Sequence, residues 1–303
     1  MKKRITTFLL LSTMMITTIF TPMSAFADRV DDKPYLALGA DLTEDQKSTV
    51  LKLLGVEASE LENYTISEVT NADEYEYLGS YLDASVIGSR ALSSVKVVGK
   101  EDGYGIQVTT ANISYCTEGM YQNALATAGV ENAEVTVVGP FSISGTAALV
   151  GAMEAYSAMT GKPIEPELAD GATNELVVTS ELAANLGDSQ KAEELIAAVK
   201  EIISANEFDS EEEINKAIDD VAAELEITLS DEDRQMIRDL MDKLSKLDLD
   251  FDAIKEQAGE LYDRISHLDL SEYGITEESV SGFFGQIGNF FSKLFDSIMG
   301  LFS

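Results

Sequence analysis

The sequence predicts an α+β protein: an N-terminal α/β sandwich with a small mixed sheet, followed by a helical C-terminal region. Three observations carry this. Short β-rich runs alternate with helical patterns up to about residue 160. Pro and Gly then gather in Thr160–Thr173, with two of the five prolines and two glycines. Beyond that point apolar spacing near 3.6 residues takes over. The organisation expected is a signal peptide over 1–27, an α/β domain over 35–160 and a linker over 161–173. A helical domain over 174–268 and an amphipathic C-terminal helix over 274–303 complete it.

Met1-Lys-Lys-Arg4 is a basic start, and Ile5–Phe20 is apolar and uncharged. Pro22 breaks a helix, Ala25-Phe26-Ala27 is a small-x-small cleavage site, and Asp28 turns the chain polar. This is the grammar of a cleaved secretory signal, shorter than a spanning helix. The protein is therefore expected to be secreted or extracytoplasmic. No Cys stands at the mature start for lipid attachment, and no Leu-Pro-x-Thr-Gly sorting motif appears.

Thr43 with Gln46 reads as a capping box opening a helix through Val50, Leu51, Leu53 and Leu54 to Gly55. Residues 63–70 alternate like a strand, and 71–81 look helical. Residues 94–98 and 106–110 flank a Gly-rich turn and read as a hairpin. Thr117 caps a helix that Gly129 stops. A strand over 133–138 and a helix over 144–159 close this half. The order excludes a doubly wound nucleotide fold. Helices are then expected over 174–186, 189–205, 210–226, 230–246 and 251–267, with start signals at Ser189, Ser210 and Ser230.

The formal charge is −33. Cleavage after Ala27 removes Lys2, Lys3 and Arg4, leaving 18 basic against 54 acidic residues, net −36. Such a surface repels nucleic acid and anionic headgroups, so neither is an expected partner. Cys116 is the one cysteine and His267 the one histidine. No zinc pattern and no internal disulfide can be written with them. No cofactor is called for.

Several strings approach known motifs and miss. Asp248-Leu-Asp250-Phe-Asp252 starts like a calcium loop, but Ala253 stands where Gly is needed and Gly259 where Glu is needed. Ser93-Ser-Val-Lys96 has the Ser-x-x-Lys spacing without its companion motifs. A Cys116–His267 dyad would join two domains and lacks a third group. Gly99–Gly105 lacks the Gly-Lys-Ser/Thr ending of a phosphate loop and leads into a strand. Ser142, Ser144, Gly145 and Thr146 do run from a strand into a helix, where free amides and hydroxyls suit an anion or a self-capped start.

The C-terminal stripe points furthest toward function. Phe284, Ile287, Phe291, Leu294, Ile298 and Leu301 follow 3-4 spacing, and Phe283, Phe290, Phe295 and Phe302 widen it. Six of the twelve phenylalanines lie here. The stripe suits docking on the chain's own domains, a membrane surface, or a partner protein of the envelope.

Leu38-Gly-Ala-Asp-Leu-Thr-Glu-Asp-Gln46, Glu76-Tyr-Leu-Gly79 and Ile87-Gly-Ser-Arg-Ala-Leu-Ser93 form a recognisable series. It continues in Gly105-Ile-Gln-Val108, Asn112-Ile-Ser114, Met120-Tyr-Gln-Asn-Ala-Leu-Ala-Thr-Ala-Gly129, Pro140-Phe-Ser-Ile-Ser-Gly-Thr-Ala-Ala-Leu149 and Ala155-Tyr156. Over residues 35–160 this resembles the YpuA-like family of exported Firmicutes proteins, a domain of unknown function. The helical half agrees in general character only. The resemblance implies a Gram-positive, extracytoplasmic origin and brings no activity, cofactor or catalytic residue. The function expected is a non-catalytic secreted or cell-envelope binding module. The alternative is an envelope-acting hydrolase using acidic residues. The sequence leaves the oligomeric state open.

Overall fold

A computed structural model describes residues 33–101, 103–205, 210–247 and 249. The signal pattern over 1–27, the helix expected over 251–267 and the segment 274–303 fall outside these residues. The first half contains β1 (Tyr35–Gly39), α1 (Glu44–Leu53), a 3-10 turn (Ala58–Asn63), β2 (Thr65–Val69), α2 (Asn71–Leu78) and α3 (Ala84–Ile87). It continues with β3 (Ser94–Gly99), β4 (Ile106–Ile113), α4 (Glu118–Thr127), β5 (Ala133–Ile143) and α5 (Thr146–Thr160). Then come α6 (Pro166–Leu186), α7 (Ser189–Ala205), α8 (Glu211–Glu224) and α9 (Asp231–Leu244). The chain is α+β with a small mixed sheet, as its sequence predicts.

The strand order is β2-β1-β3-β5-β4. β1 is parallel to β2, and β5 to β4, while β3 runs antiparallel to both β1 and β5. Four strands thus share one direction and β3 opposes them. The hairpin expected of β3 and β4 does not form, because β5 lies between them. Val135 pairs with Val97 on one side and Val108 on the other. The Gly-rich loop that reads as a tight turn instead steps over a strand, a span of about 10 Å. Asn132 holds it there, its side-chain oxygen accepting from the amides of Tyr104 (2.9 Å) and Gly105 (3.0 Å). β1 carries no start signal and no polar alternation, since all five of its residues are buried.

The two-residue period of the strands sorts the core. Leu36, Leu38 and Val138 face Val50 and Leu51 of α1 and Leu54 just after it. Ala37, Val95, Val97, Val108, Val135 and Val137 belong to the larger core on the other face, covered by α5 and α4. The Thr43–Gln46 capping box opens α1 as expected, and Thr70 with Asp73 at α2 and Ser230 with Asp233 at α9 make two more. Ser210 caps α8. At α7 the side chain that accepts a first-turn amide is Asp188, from Lys191 at 3.1 Å, and not Ser189.

Helix α4 is buried along Gly119–Thr127, with no solvated face. The sheet lies on one side of it and α6 and α7 on the other. Met120 and Leu125 share a core with Leu176, Leu195 and Ile237. The sheet and the helical region are therefore packed on each other. The linker expected over 161–173 is replaced from Pro166 onward by the first turns of α6. Pro166 sits at the helix start, where no amide is required of it. Gly171 lies against Leu244 and Leu247, so this glycine marks a close approach and not a flexible joint.

Candidate functional site

The last residues of β5, the end of β4 and the start of α5 meet the segment 85–90 around a cleft of about 430 Å³. Glu74, Ser93, Ser114, Tyr115, Phe141, Ile143, Ser144 and Thr146 contribute to its lining, with Ser85, Ser89 and Arg90. The cleft opens at the carboxyl ends of β4 and β5, the edge where ligands bind in open α/β sheets. Its size falls in the range of small-molecule sites.

Much of its polar chemistry serves the fold. Gly145, at φ 98°, ends the run from β5 and precedes α5. Its carbonyl accepts a 2.7 Å bond from the buried Tyr121 hydroxyl. Thr146 donates to Glu74 Oε1 at 2.7 Å, and Asn71 donates to Oε2 at 3.3 Å. The Ala147 amide also bonds to Glu74. The chain's own carboxyl thus occupies the start of α5, where the sequence leaves room for an anion. Of the loop residues singled out in the sequence, Ser144 and Thr146 line the cleft, Gly145 is buried and Ser142 is exposed. Ser93 accepts from the Ala148 amide at 3.0 Å, and Ser114 donates to the Ile143 carbonyl at 3.0 Å.

The other sequence strings do not assemble a reactive set among the described residues. Lys96 donates to the Leu54 carbonyl at 2.6 Å, beneath α1, while Ser93 bonds to α5 on the opposite side of the sheet. Cys116 is buried, which pushes its thiol up to about 12; a Tyr121 hydrogen bond opposes this and Glu74 adds to it. The thiol form therefore prevails at neutral pH. His267, most of the Asp248–Asp252 string and the stripe from Phe283 to Phe302 lie outside the described residues. Among the described residues no three His, Cys, Asp or Glu groups gather as a metal needs, and no helix is long and apolar enough to cross a membrane.

One polar cluster gave no signal in the sequence. Lys200 of α7 is 2% exposed and Glu175 of α6 is 0% exposed. Lys200 Nζ donates to Glu175 Oε1 at 2.7 Å, to the Asn123 carbonyl at 2.9 Å and to Thr127 Oγ1 at 3.0 Å. Thr127 donates in turn to Glu175 Oε2. All three ammonium protons are used, and α4, α6 and α7 meet at one point. In sequence both residues sit within helical patterns that single neither of them out. Nearby, Thr117 donates to the Glu193 carboxylate, over the first turn of α4.

Several carboxyls set the response to pH. Burial raises Glu74, against bonds from Thr146 and Asn71. Burial also raises Glu194, and raises Glu154 with help from Asp73 and Glu76. A carboxyl raised in the folded state binds more protons there than in the unfolded chain. Stability then grows as pH falls toward the ordinary value of 4.5 and declines as pH rises through the raised values. Falling pH also relieves the self-repulsion of a strongly negative chain. The urea midpoint is expected to increase from about pH 8 to about pH 5. A midpoint that is unchanged or falls over this range would show that the raised carboxyls do not govern the pH response.

A family model described as "Protein of unknown function (DUF1002)" matches residues 38–261, and so spans the sheet and the described helices alike. The likeness thus extends well past residue 160, where the sequence alone gave only general agreement. The uncharacterized protein YpuA of Bacillus subtilis (strain 168) is 36% identical over 285 residues, covering 94% of each chain. No solved structure matches. On the strength of the family match and of this full-length similarity, the chain belongs to the DUF1002 family of proteins of unknown function.

Proposed function

We propose that the protein is a non-catalytic binding protein of the extracytoplasmic space, and that the cleft at the carboxyl ends of β4 and β5 is its ligand site. The observation that carries this reading is the state of the cleft's polar groups. Glu74, Ser93, Ser114 and Thr146 are committed to the start of α5 and the end of β5, so they shape the cleft and are not poised for chemistry. A hydrolase using paired carboxylates needs a second acid facing the first. Glu74 is the one carboxyl among the described lining residues, and binding is therefore preferred over hydrolysis.

Export rests on the signal pattern of residues 1–27, and retention at the envelope on the Phe283–Phe302 stripe. With Lys293 its one basic residue, the stripe would hold a membrane surface or an envelope partner by apolar burial. The test is fractionation of cells expressing the full chain and a chain ending at Glu278. The full chain is expected in the envelope fraction with Asp28 as its first residue, and the shortened one in the medium. Equal release of both forms would exclude retention by the stripe. A full-length chain that keeps Met1 inside the cell would exclude export.

A further inference from the structure

We infer that the cleft binds a small monocarboxylate with an apolar body, held by Arg90. This rests on the cleft being the ligand site, as proposed above. Among its polar groups Ser85, Ser89 and Arg90 are not drawn into the fold. None of the three side chains makes a hydrogen bond or ion pair with another described residue. They come from α3 and the loop after it, so one short segment supplies two hydroxyls and a guanidinium. A guanidinium presents a planar fork of donors that matches a carboxylate with two parallel bonds.

The sign and size of the ligand follow from the same lining. Arg90 is its one cation, and the Glu74 carboxyl is 1% exposed and occupied by Thr146, Asn71 and the Ala147 amide. One guanidinium balances one negative charge. A chain of formal charge −33 opposes any further charge on the ligand, so phosphates and polyanions are disfavoured. The apolar part of the lining, Val86, Ile87, Leu92, Phe141 and Ile143, suits a hydrocarbon or aromatic body. Phe141 is 46% exposed, so its ring is accessible to such a body.

Matched pairs test this directly. Phenylacetate, N-acetyl-leucine and N-acetyl-phenylalanine are titrated into the full mature chain, each beside its primary amide, with saturation-transfer NMR and calorimetry as readouts. At least one acid is expected to bind about ten- to a hundred-fold more tightly than its amide. Arg90→Gln is expected to abolish that preference, and Phe141→Ala to weaken acid and amide together. Both side chains are exposed, and unchanged thermal unfolding would establish that the variants fold. Acid and amide binding equally, with Phe141→Ala weakening both, would leave the cleft a ligand site and overturn the carboxylate assignment. No binding by any of the six compounds at millimolar concentration would overturn the inference. Binding indifferent to both substitutions would overturn the inference and the cleft reading together.

Discussion

Lys200→Met is expected to destabilise the protein by about 3–5 kcal/mol, because it leaves the Glu175 carboxylate buried without its counter-charge. The pair is wholly enclosed, and a charge in such a place has no water to turn to. Thr127 and the Asn123 carbonyl lose the same donor, so the damage reaches α4 as well as α6. Replacing both charges, as Lys200→Met with Glu175→Met, is expected to recover more than half of the loss. A buried ion pair exchanged for apolar groups of similar volume is often neutral. Urea unfolding followed by circular dichroism measures both variants. A single-variant loss below about 1 kcal/mol would show that water reaches the pair, since exposed pairs are worth no more than that.

The second large effect is expected where α5 crosses the sheet. A Cβ on Gly151 would stand 2.7 Å from the Ala37 Cβ, 3.1 Å from Val69 Cγ2 and 3.2 Å from Val95 Cγ1. Three strands, β1, β2 and β3, thus meet the bare helix backbone at one residue. Gly151→Val is expected to cost about 2–3 kcal/mol through overpacking, against a helix-propensity gain of a few tenths. Gly151→Ala sharpens the test, since alanine in a helix gains about 1 kcal/mol over glycine. The crowding is expected to outweigh that gain and leave a net loss in the same urea measurement. A more stable Gly151→Ala would mean that α5 does not lie this close to the sheet.

Local structure was legible in the sequence where side chains act on their own neighbours. The capping box at Thr43, the caps at Thr117, Ser210 and Ser230, and the spacing of α6 to α9 are of this kind. What failed concerned pairing across distance. Residues 94–110 look like a hairpin because the pattern of a strand names no partner, and Val135 could not announce that it would take both Val97 and Val108. The segment 161–173 looks like a linker because Pro and Gly have the same composition in a joint as in a helix start packed on its neighbour. β1 escaped notice because a strand buried on both faces shows no alternation.

The cleft was half visible. Ser144 and Thr146 stood out as a strand-to-helix loop, but Glu74, which fills the start of α5, lies seventy-two residues away in sequence. Ser85, Ser89 and Arg90 follow no motif and gain meaning only from the walls around them. Nothing in the sequence singles out Lys200 or Glu175, since a charge within a helical pattern names no buried partner. Burial by α4 changes their role, and α4 is itself placed by the sheet.

The seat of β5 between β3 and β4 bears on the order in which the protein can assemble. β3 and β4 precede it in the chain, yet β4 has no partner strand and β3 has only β1 until residues 133–143 have been made. Helix α4 then waits longer still, because the residues that cover its far side run to the end of α7 at Ala205. Contacts so distant along the chain are slow to close. In a nascent polypeptide emerging from its N-terminus, the smaller core under α1 can close once Val138 is made, while the larger one draws on residues as far along as Leu244 of 303. The larger core is thus the later of the two to close, and the topology itself acts as the delay.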